Sequence, residues 1–530
     1  MSKQKKKQPG YRAIHTVNGT KYVYECVSTY DKEKKQSFNK QVCIGKQAPD
    51  GTFIPNARYR EKHNLSPTGD KIVVSSKVIG ATGTLSSVAE SSGLSRCLTL
   101  SFGKQRGAQL LAFAEFLLIR GNALSHFTAW ASSQKLPAGA TALRSQEISK
   151  FLSSIQVDEM EKFYARWARN FTSDDTICMD LTSVSSYSAG NELVKYGYNR
   201  DKERLEQVNI LGLFSASKML PVAVRMLPGN IADVGTLAKE LAHFSHLGLA
   251  DPMLLLDKGF DCEKNRNCLL DKRLKFLMMS DCRSDWLKDL AQKHQETMRV
   301  PSKMFFYQED RYYAVTELLA LGSEGNRRCY AHIYYCSRLA EHRLDRFNEK
   351  LNAYYDQLVA GSNIAEIPAP FRPYFTVKET PKRGRKVILD EEAAVAKERS
   401  FSAMFVILSN VKMEAIAALK LYRERDSVEK FFDDLKNTLD MKRLRVHSSG
   451  NARSRLFIQY LASILLYSCR NNLGLYDSTN TSLRNILEDL SGICEVKHNN
   501  KYGSLITEYT KKQKELITQI APNAVSWLQN

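Results

Sequence analysis

TICMDLT (Thr176–Thr182) is the first of five short apolar runs spread over residues 173–280. VNILGLFS (Val208–Ser215) and MLPVAVRML (Met219–Leu227) follow, then the turn PGN (Pro228–Asn230) and a helical stretch, Val234–Leu247. PMLLLD (Pro252–Asp257) and FLMMS (Phe276–Ser280) complete the set. The order reads β-β-β-α-β-α-β. Near-continuous apolar runs are strands buried on both faces, so the pattern predicts an α/β sheet covered by helices. Asp180 interrupts the first run, between Met179 and Leu181. A carboxylate buried there is costly unless it is paired or binds a cation. Asp257 closes the run LLL and precedes KGF, a strand end where a turn former is equally at home. Asp174 and Asp175 stand in polar surroundings, as capping residues do.

Working outward, residues 1–10 form a basic tail. KYVYECVS (Lys21–Ser28) and KQVCIGK (Lys40–Lys46) alternate in polarity across the polar link DKEKKQ, which predicts a β-hairpin. Residues 47–95 are polar, rich in Gly and Ser, and weakly patterned. From about Arg96 the period becomes helical, and QLLAFAEFLLIRG (Gln109–Gly121) ends at a glycine placed as a helix stop. SQEISKFLSSI (Ser145–Ile155) and DEMEKFYARWARN (Asp158–Asn170) read as a short helical pair, used for packing or for reading DNA. Residues 282–400 break the α/β pattern with strand-like MFFYQ, RYYAVTEL and CYAHIYYC, a charged helix over Ala340–Leu358 and the basic segment PKRGRKV (Pro381–Val387). They read as an inserted domain. FVILSN (Phe405–Asn410) is a further strand, followed by helical stretches at Met413–Leu439 and Ala452–Cys469.

The first of these helices carries a polar stripe. Tyr422, Arg425, Glu429 and Lys436 stand at offsets of 0, 3, 7 and 14. On an ideal helix they project at about 0°, 300°, 340° and 320°, within an arc of about 60°. Val428, Phe431, Phe432, Leu435 and Leu439 fall at about 180–280° and form a core stripe. Asp426 and Asp433 lie near the polar arc as rival ligands. An ordinary amphipathic helix with i,i+4 pairs such as Arg425/Glu429 has the same outward pattern.

YRERDSVEKFFDDLK (Tyr422–Lys436) fits Y-x2-R-x3-E-x6-K and so resembles the YREK signature of DDE transposases from bacterial insertion sequences. DLTS (Asp180–Ser183) resembles that family's first-Asp motif, LDKGF (Leu256–Phe260) its second, and LPGN (Leu227–Asn230) the segment after its third strand. The acids are 77 and 172 residues apart. The long second gap resembles the subgroup with a β-rich insertion before the final helix, and the N-terminal hairpin resembles the start of one branch of the superfamily. The resemblance covers most of the chain.

The resemblance implies an RNase H-like catalytic domain in two parts, residues 173–281 and 401–475, around a β-rich insertion at 282–400. The N-terminal β-hairpin region would then be 1–95, a helical region for binding DNA ends 96–172, and a helical C-terminal region 476–530. It further implies that Asp180, Asp257 and Glu429 are the catalytic and metal-binding acids. Three carboxylates can hold two Mg²⁺ ions, with Mn²⁺ as a substitute, about 4 Å apart across an in-line phosphoryl transfer. Arg425 and Lys436 would hold DNA phosphates, and Tyr422 would order the backbone. Trp286 would be a candidate for stacking a flipped base, against a plainer packing role. The implied activity is cleavage at terminal inverted repeats and joining of 3′-OH ends to target DNA. A homodimer bridging two double-stranded DNA ends, working in the cytoplasm at the nucleoid, would carry it out. A non-catalytic DNA-binding protein derived from a transposase, and an RNase H-fold nuclease that only hydrolyses, are the alternatives.

The composition agrees with this class. The 530 residues include 77 Lys and Arg against 57 Asp and Glu, a net charge of +20 that suits a polyanionic partner. With 43% hydrophobic and 25% charged residues the chain is globular rather than disordered. The apolar stretches around Leu110–Ile119 and Leu461–Cys469 fall short of the roughly 20 residues of a membrane span. The basic start lacks the apolar core of a secretory signal. Eleven Cys without a C-x-x-C pair point to a reducing compartment and no zinc site.

Overall fold

Alternating side chains and a tight turn build the N-terminal sheet. Its strands are β1 (Tyr11–Val17), β2 (Thr20–Asp31), β3 (Gln36–Gln47) and β4 (Phe53–Pro55), hydrogen-bonded in that order, with α1 (Ala57–Lys62) after them. Asn18 and Gly19 connect β1 to β2 with φ of 48° and 78°. Two positive φ angles define a type I′ hairpin turn, and Asn-Gly is the pair that adopts it most readily. The expected Lys21–Lys46 hairpin is the β2–β3 pair. Its own core is small: Val23, Cys26 and Ile44.

In this computed structural model the described residues are all except 1–9, 32–34, 64–73, 122, 189, 198–204, 232–236, 238, 242–246, 250, 281–284, 296, 382–383, 396–403, 445, 447, 476–481, 499–503 and 529–530. The chain divides into two compact units, one of residues 1–75 with 497–504 and one of residues 76–496 with 505–530. A short strand, β5 (Val74–Val78), spans the passage from the first to the second. The expected helix Val234–Leu247 lies mostly outside the described residues.

The second unit opens with helices α2 (Gly80–Ser91), α3 (Leu94–Phe102), α4 (Lys104–Arg120), α5 (Phe127–Ser133), α6 (Ser145–Ser154) and α7 (Val157–Trp167). Helix α2 corrects the reading of residues 47–95 as weakly patterned. GATGTLSSVAES is almost wholly buried because its small residues allow close approach, so no polar face marks it. A Cβ on Gly83 would stand 3.1 Å from the Trp527 ring. Gly121 ends α4 in the left-handed conformation, as the sequence predicts.

Glu115, on α4, is fully buried and accepts a hydrogen bond from Ser86 Oγ at 2.7 Å. Burial pushes its carboxyl up to about 8. The folded chain therefore keeps a proton that the unfolded chain loses near pH 4.5, and stability falls as pH rises through that window. The slope is at most about 1.4 kcal/mol per pH unit. Glu115→Gln is expected to flatten this decline. Urea denaturation at pH 6 and pH 8 should show wild type losing about 2 kcal/mol more than the variant. Equal losses would rule out a buried neutral Glu115.

The five apolar runs become β6 (Thr176–Ser186), β7 (Gln207–Ser215), β8 (Leu220–Pro228), β9 (Met253–Leu256) and β10 (Phe276–Ser280), with helix α8 (Glu263–Asp271) before β10. Helix α9 (Asp285–Gln295) follows, then β11 (Met304–Tyr307), β12 (Asp310–Leu321), β13 (Arg327–Cys336), α10 (Ser337–Val359), β14 (Phe375–Thr380), β15 (Gly384–Leu389) and β16 (Met404–Ser409). The large sheet runs β11-β12-β13-β16-β10-β9-β6-β7-β8. Strand β9 lies parallel to β6 and β10 parallel to β9, while β7 is antiparallel to β6 and β8 antiparallel to β7. Every residue of β6 is buried, as a central strand requires.

The region expected to be an insertion, 282–400, is not one separate module. Strands β11–β13 extend the large sheet, because β13 pairs with β16 from Tyr330↔Ser409 to Tyr335↔Met404. Cys329, Ala331 and Ile333 are thereby wholly buried. Only α10 with β14 and β15 has its own small core, which includes Leu351, Leu358, Tyr374 and Val387.

The chain then forms α11 (Ala415–Arg423), α12 (Asp426–Asp433), a π-helical turn (Asp434–Thr438), the short strand β17 (Arg443–Leu444) beside β6, and α13 (Ser449–Leu473). Helix α13 is buried along most of its length. The Ser145–Asn170 pair packs against it. Phe163 and Tyr164 meet Phe457 and Tyr460 edge-on, and Ser454 Oγ donates to Leu152 O at 2.8 Å. No helix among the described residues is long and apolar enough to cross a membrane.

Candidate functional site

Strand alternation places Cys178, Asp180 and Thr182 on one face of β6. Asp180 is 1% exposed. Its Oδ1 accepts from Leu181 N–H at 2.8 Å. Met179 pairs with Leu256 in parallel, so Asp257, the next residue along, leaves the neighbouring strand beside Asp180. Asp257 begins a 3-10 turn, Lys258–Phe260, whose Phe260 is fully buried and anchors it. Asp261 is held by Arg266 and Ser280, which orients the segment that follows. Lys258 is exposed.

Helix α12 lies over the same face. Opposite Asp180 on β7 stands Gly212, where a Cβ would come within 2.8 Å of the Phe432 ring. The missing side chain lets Phe431 and Phe432 pack directly on the sheet. Phe431 stacks on Phe214 with ring centres 5.4 Å apart. At the start of α12, the Cys178 thiol lies 3.7 Å from Ser427 Oγ, and burial pushes its ionisation up to about 12.

The predicted single helix, Met413–Leu439, is broken twice. Around Glu424 and Arg425 the backbone tightens, with Arg425 N–H donating to Tyr422 O and Val428 N–H to Arg425 O. After Asp433 it widens, and Leu439 N–H donates to Asp434 O at 2.9 Å. Such changes of pitch alter the angle between successive side chains, so an ideal 100° projection does not hold across them. Arg425 therefore turns inward, with its side chain only 12% exposed.

Its guanidinium stands among the acids. Arg425 Nη2 is 2.6 Å from Glu429 Oε1, and Nη1 is 3.6 Å from Asp180 Oδ2. Burial by itself lowers the guanidinium's basicity. Tyr422, Asp257, Asp180 and Glu429 together more than reverse this, and its proton is held more tightly than usual. Tyr422 is 4% exposed, and burial raises its phenol above the ordinary range. Tyr422, Arg425, Asp180, Asp257 and Glu429 thus form one cluster. Glu429 is its exposed member, with a side chain 54% exposed.

Two further candidates stand on other elements. Lys436 sits half-buried in the π turn. Trp286, on α9, packs on the core with the Arg266 guanidinium 5.2 Å from its ring centre, as a packed tryptophan does. No local pattern in the sequence marks the ion pair that seats the π turn. Arg470 on α13 reaches Asp434 with two bonds, at 2.5 and 3.0 Å, while Tyr467 Oη and Thr438 Oγ1 donate to the same carboxylate at 2.9 Å. Beside this network a groove of about 960 Å³ opens, lined by Glu429, Lys430, Asp433, Arg470 and Arg484 among others.

The cluster's acidic donors are all oxygen, the set that suits a hard divalent cation. Among the described residues no three acidic, His or Cys side chains converge on one metal-sized point. The carboxylates are arranged around a guanidinium instead. Three acids remote in sequence thus stand within β6, at the end of the parallel strand beside it and on the overlying helix. Residues 172–465 match the family model described as the transposase DDE domain, and the chain belongs to that family. Among solved structures, the chain is similar to the piggyBac transposase in a synaptic complex with hairpin DNA, at 8% identity and a TM-score of 0.36, over 86% of this chain and 78% of that one. No curated protein sequence matches it.

Proposed function

We propose that the chain is an active transposase of an insertion sequence, which cuts the ends of its element and joins their 3′-OH groups to target DNA. One observation carries this reading: Asp180, Asp257 and Glu429, far apart in sequence, lie around one largely enclosed arginine, Arg425. The order β8-β7-β6-β9-β10, with β9 and β10 parallel to β6, supports an RNase H-like core. The all-oxygen donor set fits divalent ions held by Asp180, Asp257 and Glu429. Bound Mg²⁺ would supply Lewis-acid stabilisation of the attacking and leaving oxygens.

The chain's own groups do the rest. Asp180, on a wholly buried strand, is the fixed member of the triad. Glu429 stands at the solvent edge, where DNA arrives. Arg425 neutralises the acids while the site is at rest and offers a planar cation to a phosphate that displaces it from Glu429. Tyr422 packs the guanidinium from behind, 5.9 Å from ring centre to Cζ.

The test is Mg²⁺- or Mn²⁺-dependent cleavage and joining of DNA carrying the gene's own flanking ends. Cut ends covalently joined to a target plasmid are expected. Cutting without joining would favour the hydrolytic nuclease, and binding with neither would favour the non-catalytic DNA-binding protein.

A further inference from the structure

The far end of the β2–β3 hairpin runs past the ends of β1 and β4, with the Asn39 amide donating to Tyr11 Oη at 3.3 Å and Gly10 beside Val27. Pairing of β1 with β2 stops at Tyr11↔Cys26, and β4 meets β3 only at Gly45–Gln47. Beyond those points Val27↔Lys40, Ser28↔Asn39, Thr29↔Phe38, Tyr30↔Ser37 and Asp31↔Gln36 pair with no third strand among the described residues. Both faces of this ribbon carry exposed apolar groups. Val27, Phe38 and the adjoining Val42 share one face, at 41%, 49% and 42% exposure. Tyr30, at 58%, lies on the other with Asn39. Apolar residues on both faces of a two-stranded ribbon serve no core, and an exposed patch of this kind marks a binding surface.

The charge of the region around the ribbon suits a DNA partner. Residues 1–75 hold fifteen Lys and Arg against six Asp and Glu, so about a seventh of the chain carries nearly half of its +20 surplus. The major groove of B-DNA, about 12 Å wide, admits a two-stranded ribbon. There Phe38, on the face opposite Asn39, can meet a thymine methyl.

We propose that the ribbon of residues 27–31 and 36–40 enters the DNA major groove and gives the protein its preference for the ends of its own element. This rests on the transposase reading and deepens it. It also moves base reading away from the Ser145–Asn170 helical pair, whose apolar faces are spent on α13.

The experiment measures binding of the full chain to two fluorescent duplexes of equal length, one with the flanking end and one scrambled. Fluorescence anisotropy is read over a salt series. Phe38→Ala with Tyr30→Ala is expected to reduce the preference for the end at least tenfold. Lys40→Ala is expected to weaken both duplexes alike and to lower the salt slope by about one. Both positions of the double variant are exposed, so thermal melting should match wild type. A variant that melts like wild type and keeps full end preference would overturn the proposal while leaving the transposase reading intact, provided wild type cuts its ends. Lost self-association with unchanged DNA preference would make the ribbon a contact between copies and overturn it too. Wild type that neither prefers nor cuts its ends would overturn both.

Discussion

Asp180→Asn is expected to lower the rate of DNA-end cleavage roughly 10³-fold or more, a loss of about 4 kcal/mol or more of transition-state stabilisation, while DNA-end affinity stays near wild type. The amide is nearly isosteric and keeps the carbonyl that accepts from Leu181 N–H. It cannot supply the negative charge that a divalent ion needs. Asp180 is central to the sheet and 1% exposed, so no neighbouring acid can swing into its place. The second readout is stability. The substitution removes one of the carboxylates facing Arg425 but leaves Glu429 at 2.6 Å, so the guanidinium remains paired. Folding should therefore survive, and Mn²⁺ is expected to raise the melting temperature of wild type more than that of the variant. Cleavage at the wild-type rate by the purified variant, with contaminating nuclease excluded, would show that Asp180 is not a catalytic acid.

Arg470→Leu is expected to cost about 3–5 kcal/mol of stability, because it leaves a buried carboxylate without its ion partner. Asp434 has a side chain 10% exposed and accepts from three side chains in all, two of them on α13. Arg470 is itself 28% exposed, so the pair is only lightly screened by solvent. Replacing both partners, in Asp434→Leu with Arg470→Leu, should recover part of the loss, since the uncompensated charge is then gone. Urea denaturation of the two variants and wild type measures both values. A loss under 1 kcal/mol for Arg470→Leu would mean that the pair is no more than a surface ion pair. The pair seats the π turn directly after α12, so the single variant should also lower cleavage by disturbing the helix that bears Glu429.

Much of the fold was legible because strand and helix periods are local properties. The apolar runs of residues 173–280 become β6 to β10 with little change of boundary, and Gly121 ends its helix where the sequence places the stop. Two kinds of element escaped. Helix α2 has no polar face to set off an apolar one, because small residues bury it on nearly all sides. The Tyr422–Lys436 stretch has a clean helical period, but its backbone tightens at Arg425 and widens after Asp433.

The sequence by itself marked Asp180 as an acid out of place in an apolar strand, placed Asp257 at a strand end and put Glu429 on an amphipathic helix. Each of those readings needs only a residue and its immediate neighbours. Tertiary structure alone decided that β11–β13 join the large sheet, that Gly212 lets α12 settle on it, and that Arg425 turns in among the acids rather than out toward solvent. It also decided that Asp434 finds Arg470, 36 residues away. The physical reason is the same in each case. Hydrogen-bond pairing, close packing and charge compensation are set by what lies across the gap, and no local period encodes the partner on the other side.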